Sequence, residues 1–88
     1  MTAAQVVQAG IELLDRDKPD WRASVDVANL DMWTNCIIDQ VYGKDSFIST
    51  LERLGIRGRA GKFGFNFDAE HNISTKDLVS EWKRRLSN

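Results

Sequence analysis

The stretch Trp21-Arg22-Ala23-Ser24-Val25-Asp26-Val27 decides between the two fold classes that the rest of the sequence allows. Apolar and polar residues alternate along it, and a period of two is typical of a strand that lies with one face on a core. Residues 63–67, Phe-Gly-Phe-Asn-Phe, repeat this alternation after a glycine-rich segment. We therefore predict two short strands in these segments and expect them to pair.

Outside these segments the apolar residues recur at helical spacing. Thr2 and Gln5 match the capping box, in which two residues satisfy each other's backbone amides at a helix start. A second helix is expected to take its cap from Thr34 or Asn35. Four helices are predicted, covering about residues 2–15, 34–43, 46–55 and 74–86. The sequence thus predicts an α+β fold dominated by about four helices, with a short two-stranded sheet, and an all-α fold is the alternative.

The length of the chain sets its domain organisation. With 88 residues, 42% of them hydrophobic, it is expected to form one globular domain over residues 1–88. Because so small a fold buries only about 60% of its unfolded surface, a homo-oligomer is one expected source of added stability. No apolar run reaches the roughly 18 residues of a membrane span, and no signal-peptide pattern opens the chain. We expect a soluble cytoplasmic protein without a membrane partner.

The formal net charge of -1 is the sum of two unlike halves. Residues 1–45 carry four basic and eight acidic side chains, whereas residues 46–88 carry eight and five. Four basic residues of the second half occur among glycines: Arg53, Arg57, Arg59 and Lys62. Because arginine forks and glycine-rich backbone both suit phosphate oxygens, these four are the candidate residues for binding nucleic acid or another polyanion. Simple solvation of a surface loop explains the same charges, and the net negative charge is unlike that of a dedicated DNA-binding protein.

Few residues of the chain could perform chemistry. Cys36 and His71 are a nucleophile and a base, but Cys36 begins an apolar stretch where a buried thiol is ordinary. Asp68, Glu70 and His71 could ligate a divalent cation, yet residues that precede a helix in this way are more simply turn and capping residues. The sequence therefore predicts no enzyme, no catalytic residue, no metal site and no cofactor.

The three tryptophans differ in their surroundings. Trp82 lies on the apolar stripe of the last predicted helix, and Trp21 lies on the inward side of the first predicted strand, so both are expected in the core. No pattern assigns Trp33 to the interior, and a large aromatic residue beside Met32 suits a protein contact. Met32 and Trp33 are therefore the candidate protein-binding residues, and the alternative is that Trp33 covers a small core.

One arrangement of motifs resembles a known family. Leu30-Asp31-Met32 is followed by Cys36-Ile37-Ile38-Asp39-Gln40-Val41-Tyr42-Gly43, then by Gly64-Phe65 and a terminal helix with Trp82. Over about residues 21–83 this resembles small uncharacterised proteins of actinobacterial phages and their hosts, in which the longer motif reads Cys-Val-Leu-Gly-Gln-Leu-Tyr-Gly. Asp39 and the basic residues 57–62 depart from the pattern of that family. The family has no established activity, so the resemblance implies an actinophage or its host as the source.

Small size, the lack of catalytic groups and this resemblance together lead to one functional prediction. We expect a non-enzymatic phage accessory protein that binds a host or phage protein in the cytoplasm of the bacterial host. A nucleic-acid-binding module that uses the basic segment of residues 53–62 is the alternative.

Overall fold

The chain folds into a succession of helices, and the computed structural model describes residues 1–87. The α-helices are α1 (Ala3–Asp17), α2 (Ile37–Tyr42), α3 (Phe47–Arg53) and α4 (Thr75–Leu86), and 3₁₀ helices cover Trp21–Ser24, Val27–Asn29 and Arg57–Phe63. An isolated antiparallel bridge joins Asp68 to Ile73, and the described part of the chain contains no strand. The fold is therefore all-α, and the predicted α+β fold is wrong.

The predicted strand over residues 21–27 is replaced by two 3₁₀ helices. Its backbone bonds are local: Trp21 N–H donates to the carbonyl of Lys18 at 2.9 Å, and Ala23 N–H to that of Asp20 at 3.1 Å. Trp21 is the one fully buried member of the alternating set, while Ala23 is exposed. The alternation therefore does not mark an inward face, and the chain turns where one large side chain enters the core.

The predicted second strand at residues 63–67 is also wrong. A 3₁₀ helix runs up to Phe63, and Gly64 then adopts a left-handed conformation with a φ of 72°. Phe65 is buried but Phe67 is 55% exposed, so the phenylalanines point to different environments. The glycines allow a compact turn here, and a turn leaves no extended backbone for a partner strand.

The four predicted α-helices are all present. At α1, the amide of Gln5 donates to the hydroxyl of Thr2 at 3.2 Å, and the amide of Thr2 donates to the side chain of Gln5 at 2.8 Å. A second capping box, of Ser74 with Asp77, starts α4. At α2 the N-cap is Cys36 and not Thr34 or Asn35 as expected, because those two residues belong to a separate loop that Asp31 holds.

Trp82 of α4 lies at the centre of the core. Its ring stacks on Phe65 at a centroid distance of 6.0 Å and meets the edge of Trp21 at 6.1 Å. Its indole N–H donates to the carbonyl of Gly64 at 2.7 Å. The close approach of α1 to Phe63 and Trp82 requires a glycine at residue 10. A Cβ on Gly10 would lie 2.2 Å from the Phe63 carbonyl oxygen and 3.1 Å from the Trp82 ring. The expected burial of Trp21 and Trp82 is confirmed, since both are 0% exposed.

Candidate functional site

A short loop between the core residues Leu30 and Cys36 carries the first candidate site; we call residues 31–35 the Trp33 loop. Asp31 organises it. Its carboxylate accepts hydrogen bonds from the backbone N–H of Trp33 at 2.8 Å and of Asn35 at 2.9 Å. The Asp31 N–H in turn donates to the carbonyl of Asn35 at 3.3 Å. Because both ends are buried and the centre is bonded to Asp31, the loop has a defined conformation.

The electrostatics of Asp31 agree with this geometry. The amides of Asn35 and Trp33 stabilise the charged carboxylate and hold the pKa of Asp31 below its ordinary value. A hydrogen bond between backbone amides and an ionised side chain is stronger than one between neutral groups. Asp31 is therefore ionised at neutral pH and fixes the backbone of the loop.

Trp33 is presented at the surface of this ordered loop. Trp33 is 73% exposed. Among residues 1–87, no group accepts a hydrogen bond from its indole N–H. The ring borders an open groove of about 250 Å³ whose other wall is α4. The α4 residues that line the groove are Thr75, Lys76, Val79 and Ser80. A rigid backbone thus holds a free aromatic side chain beside a helix.

Met32, the neighbouring candidate, has a different position. It is half-buried and packs on the core. It lines a narrow internal gap together with Cys36, Phe65 and their neighbours. The structure therefore does not bring Met32 and Trp33 together on one outer face: Met32 secures the base of the loop, and Trp33 is its exposed part.

Phe67 is a surface residue that the sequence patterns did not identify as a candidate. It is 55% exposed and borders a second open hollow, of about 350 Å³, which includes Ile73 and Thr75. Thr75 also lines the Trp33 groove, so the two depressions meet at the first turn of α4. The polar neighbours Asn66 and Asp68 could have indicated the exposure of Phe67, since an aromatic residue flanked by turn residues is often outside a regular buried face.

Two of the four basic candidates form ion pairs within the protein. The guanidinium of Arg53 donates to both carboxylate oxygens of Asp17, at 3.0 and 3.3 Å, and lies 5.4 Å from the centroid of the Tyr42 ring. Arg57 donates to Glu52 at 2.6 Å. These arginines connect helices or brace a helix end, and each is already paired with a carboxylate.

The other two basic candidates share one hollow. Arg59 and Lys62 line a depression of about 170 Å³ with Gly58 and Gly61. Asp68 and Glu70 line the same depression, and the Arg59 guanidinium donates to the Gly55 carbonyl at 3.0 Å. The structure thus divides the predicted basic segment into separate places and mixes two of its charges with carboxylates.

Cys36 and His71 are engaged with different partners. Cys36 is buried and accepts a long hydrogen bond from the amide of Asp39 at 3.5 Å. Burial raises the pKa of its thiol, so the thiolate that a nucleophile requires is disfavoured. His71 instead places Nδ1 2.8 Å from the carboxylate of Asp68.

Comparison with protein-family models, with curated proteins and with solved structures found no match for the chain. The resemblance to proteins of actinobacterial phages therefore stays a prediction from the sequence motifs. In the described range, none of the helices combines the length and apolar character that crossing a bilayer requires.

Proposed function

We propose that this protein acts by binding another protein, with Trp33 as the side chain that anchors the contact. The exposure of Trp33 on a loop held by Asp31 is the single observation that carries the proposal. Tryptophan is enriched among the residues that dominate binding energy in interfaces. Because the loop is already ordered, binding loses little backbone entropy. An exposed indole on such a loop is better suited to a contact than to stabilising the fold.

The side chains along the groove beside Trp33 indicate the chemistry of the partner surface that would bind there. Lys76, Val79 and Lys83 stand at positions i, i+3 and i+7 of α4 and therefore on one side of the helix. Val79 is half-buried, and neither lysine has an ion-pair partner within residues 1–87. A partner segment with an apolar side chain between carboxylates would fill the groove, pair with Lys76 in its lining and reach Lys83 beyond it. The partner we propose is therefore an acidic, apolar segment of another protein, which the sequence resemblance would place in the phage or its host.

The first experiment compares two exposed apolar residues. Wild-type protein, Trp33→Ala and Ile48→Ala would be immobilised and used to capture proteins from an actinobacterial lysate, with quantification by mass spectrometry. Ile48 is the matched control because it is 47% exposed and does not line the groove. We expect at least one protein that wild type and Ile48→Ala retain and that Trp33→Ala retains at least tenfold less.

The second step tests the charge of the groove. A peptide of the captured protein would be titrated against wild type and Lys76→Glu, and the charge reversal is expected to weaken binding severalfold at low salt. Equal capture by all three proteins of the first experiment, or no captured protein, would contradict the proposal. Sedimentation of the free proteins supplies a further check: if Trp33→Ala converts a dimer into a monomer, the groove binds a second copy and the proposed heterologous partner is wrong.

Nucleic-acid binding through residues 53–62 has weaker support from the geometry, because Arg53 and Arg57 are already paired with carboxylates. It is tested by fluorescence anisotropy with mixed DNA and RNA fragments at low ionic strength, where phosphate contacts are strongest. Salt-sensitive binding that is lost when Arg59 and Lys62 are both replaced by alanine would favour this alternative over the proposed function.

A further inference from the structure

The turn before α4 brings three potential metal ligands together. Asp68 and Ile73 exchange both backbone hydrogen bonds, each at 2.9 Å, and so close the turn between them. As a result, one ligand atom from each of Asp68, Glu70 and His71 lies within 4.8 Å of the others. The sequence alone favoured turn and capping roles for these residues, but it did not place their side chains on the same side of the turn.

Asp68 is the buried member of this cluster. Its side chain is only 8% exposed. It accepts a hydrogen bond from the backbone N–H of His71 at 3.3 Å and another from the backbone of Glu70, and it lies 2.8 Å from Nδ1 of the His71 ring. No lysine or arginine of the described chain forms an ion pair with it. A buried carboxylate is costly unless a cation or several donors compensate it. A metal ion beside Asp68 would add a charged partner to these hydrogen bonds.

We propose that Asp68, Glu70 and His71 bind a divalent cation of the class of Zn²⁺ or Co²⁺. Two carboxylates with one imidazole suit these borderline ions, whereas Ca²⁺ and Mg²⁺ prefer all-oxygen sets. The 2.8 Å between the Asp68 oxygen and His71 Nδ1 is close to the roughly 3 Å that separates two ligands bound to one such ion. In the complex, the ion uses the Nδ1 lone pair, and the imidazole proton resides on Nε2.

The three ligands leave part of the coordination sphere open. Asp68 and Glu70 line the hollow of about 170 Å³ that also contains Arg59 and Lys62. The open positions of the ion would therefore face two positive charges, which weaken binding of a bare cation and favour an anionic oxygen as the additional ligand. This predicts that replacing Lys62 by alanine strengthens binding of the ion alone.

The test uses the chain without a polyhistidine tag, after treatment with chelator. Zn²⁺ would be titrated by calorimetry and Co²⁺ by visible absorbance. We expect one ion per chain, an affinity at least tenfold lower for His71→Ala and for Glu70→Gln, and an unchanged affinity for Glu12→Gln, the matched control on α1. Lys62→Ala is expected to bind severalfold more tightly at low salt. Circular dichroism would establish that each variant is folded, and Glu70→Gln changes an exposed side chain and therefore does not threaten the core.

Because His71 is the single histidine of the chain, its ring signals in an NMR spectrum report the site directly. Saturable shifts of these signals at one equivalent of Zn²⁺ support the proposal. Failure to saturate by 1 mM Zn²⁺ would overturn it. Equal Zn²⁺ affinity of wild type and His71→Ala would overturn it as well, since the ion would then be bound elsewhere.

Discussion

Trp82 and Trp33 show how differently the core and the Trp33 loop use the same side chain. Trp82 is 0% exposed, and its indole N–H is bonded to Gly64 inside the protein. Trp33 is 73% exposed, and what is fixed is its backbone, through Asp31. The contrast shows that a tryptophan can be well ordered without being part of the core. Order at Trp33 comes from the hydrogen bond between its backbone N–H and Asp31, so the ring itself is left for a partner.

The largest effect is expected for Trp82→Ala. The substitution removes the ring that joins Trp21 to Phe65 and leaves the Gly64 carbonyl without its donor. Core Trp→Ala changes cost about 3–5 kcal/mol, a large share of the stability of a domain of this size. Urea unfolding followed by circular dichroism measures the change; a loss below 1 kcal/mol would mean that Trp82 does not centre the core.

A smaller loss of stability is expected for Gly10→Ala, which crowds the core beside Trp82. The added methyl would meet the Phe63 carbonyl oxygen at 2.2 Å, so α1 must move away from residues 57–63. Overpacking of this kind costs about 1–3 kcal/mol. Ala9→Gly on the same helix is the control, because it changes helix propensity without crowding. An unchanged urea midpoint for Gly10→Ala would contradict the observed close approach.

Asp31→Ala removes the side chain that holds the Trp33 loop. It removes the acceptor of the Trp33 and Asn35 amides, which is expected to cost about 1 kcal/mol and to loosen the loop. Amide hydrogen exchange should become faster at Trp33 and Asn35, while the core amides of α1 change little. If exchange in the loop is unaltered, Asp31 is not what orders it.

The acid dependence of stability tests the other buried tryptophan. Trp21 donates its indole N–H to Asp15 at 2.9 Å, and this bond together with Arg22 lowers the pKa of the Asp15 carboxyl. Because the folded protein then binds fewer protons than the unfolded chain, this stabilisation is present above the ordinary pKa of 3.8 and is lost as the pH falls through the lowered value. Asp15→Asn should show a shallower loss of stability between pH 6 and pH 2 than wild type. If the urea midpoints of Asp15→Asn and wild type are identical at every pH in that range, the charge of Asp15 does not stabilise the fold.

The smallest change in stability is expected for Trp33→Ala. Surface substitutions outside special contacts usually fall within about 0.5 kcal/mol, and the Asp31 bonds to the backbone survive the truncation. The urea midpoint should therefore match that of wild type even though partner capture declines. A loss of 2 kcal/mol or more would show that the ring covers the core, as the alternative sequence interpretation holds.

The helices could be predicted from the sequence because their signals are local. Capping boxes such as Thr2 with Gln5 set the helix starts, and the spacing of apolar residues sets the helix faces. The strands were predicted from alternation alone, and alternation cannot show whether a partner strand exists. At residues 63–67 the left-handed Gly64 and the carbonyl that Trp82 requires decided the backbone, and both depend on a helix that follows later in the chain.

The candidate site was predictable in part. Trp33 was identified because no pattern buried it, yet its neighbours in the groove, Lys76 and Val79, come from a helix more than forty residues away. Val79 follows the buried Leu78 directly in the sequence, yet it is half-buried and lines the groove. The basic residues 53–62 formed one group in the sequence, but Asp17 and Glu52 separate them in space. These differences between prediction and structure come from tertiary contacts between distant segments, and such contacts cannot be recognised in a single sequence.

Whether the Trp33 ring is available to a partner is tested most directly by hydrogen exchange of the three indole N–H groups, which give separate signals in a nitrogen-15 NMR spectrum. We predict that the Trp82 signal exchanges most slowly, that Trp21 is intermediate because Asp15 holds it at the edge of the core, and that Trp33 exchanges near the rate of a free indole. Protection of Trp33 comparable to that of Trp82 in the monomeric protein would show that its ring is not available to a partner and would contradict the proposed contact.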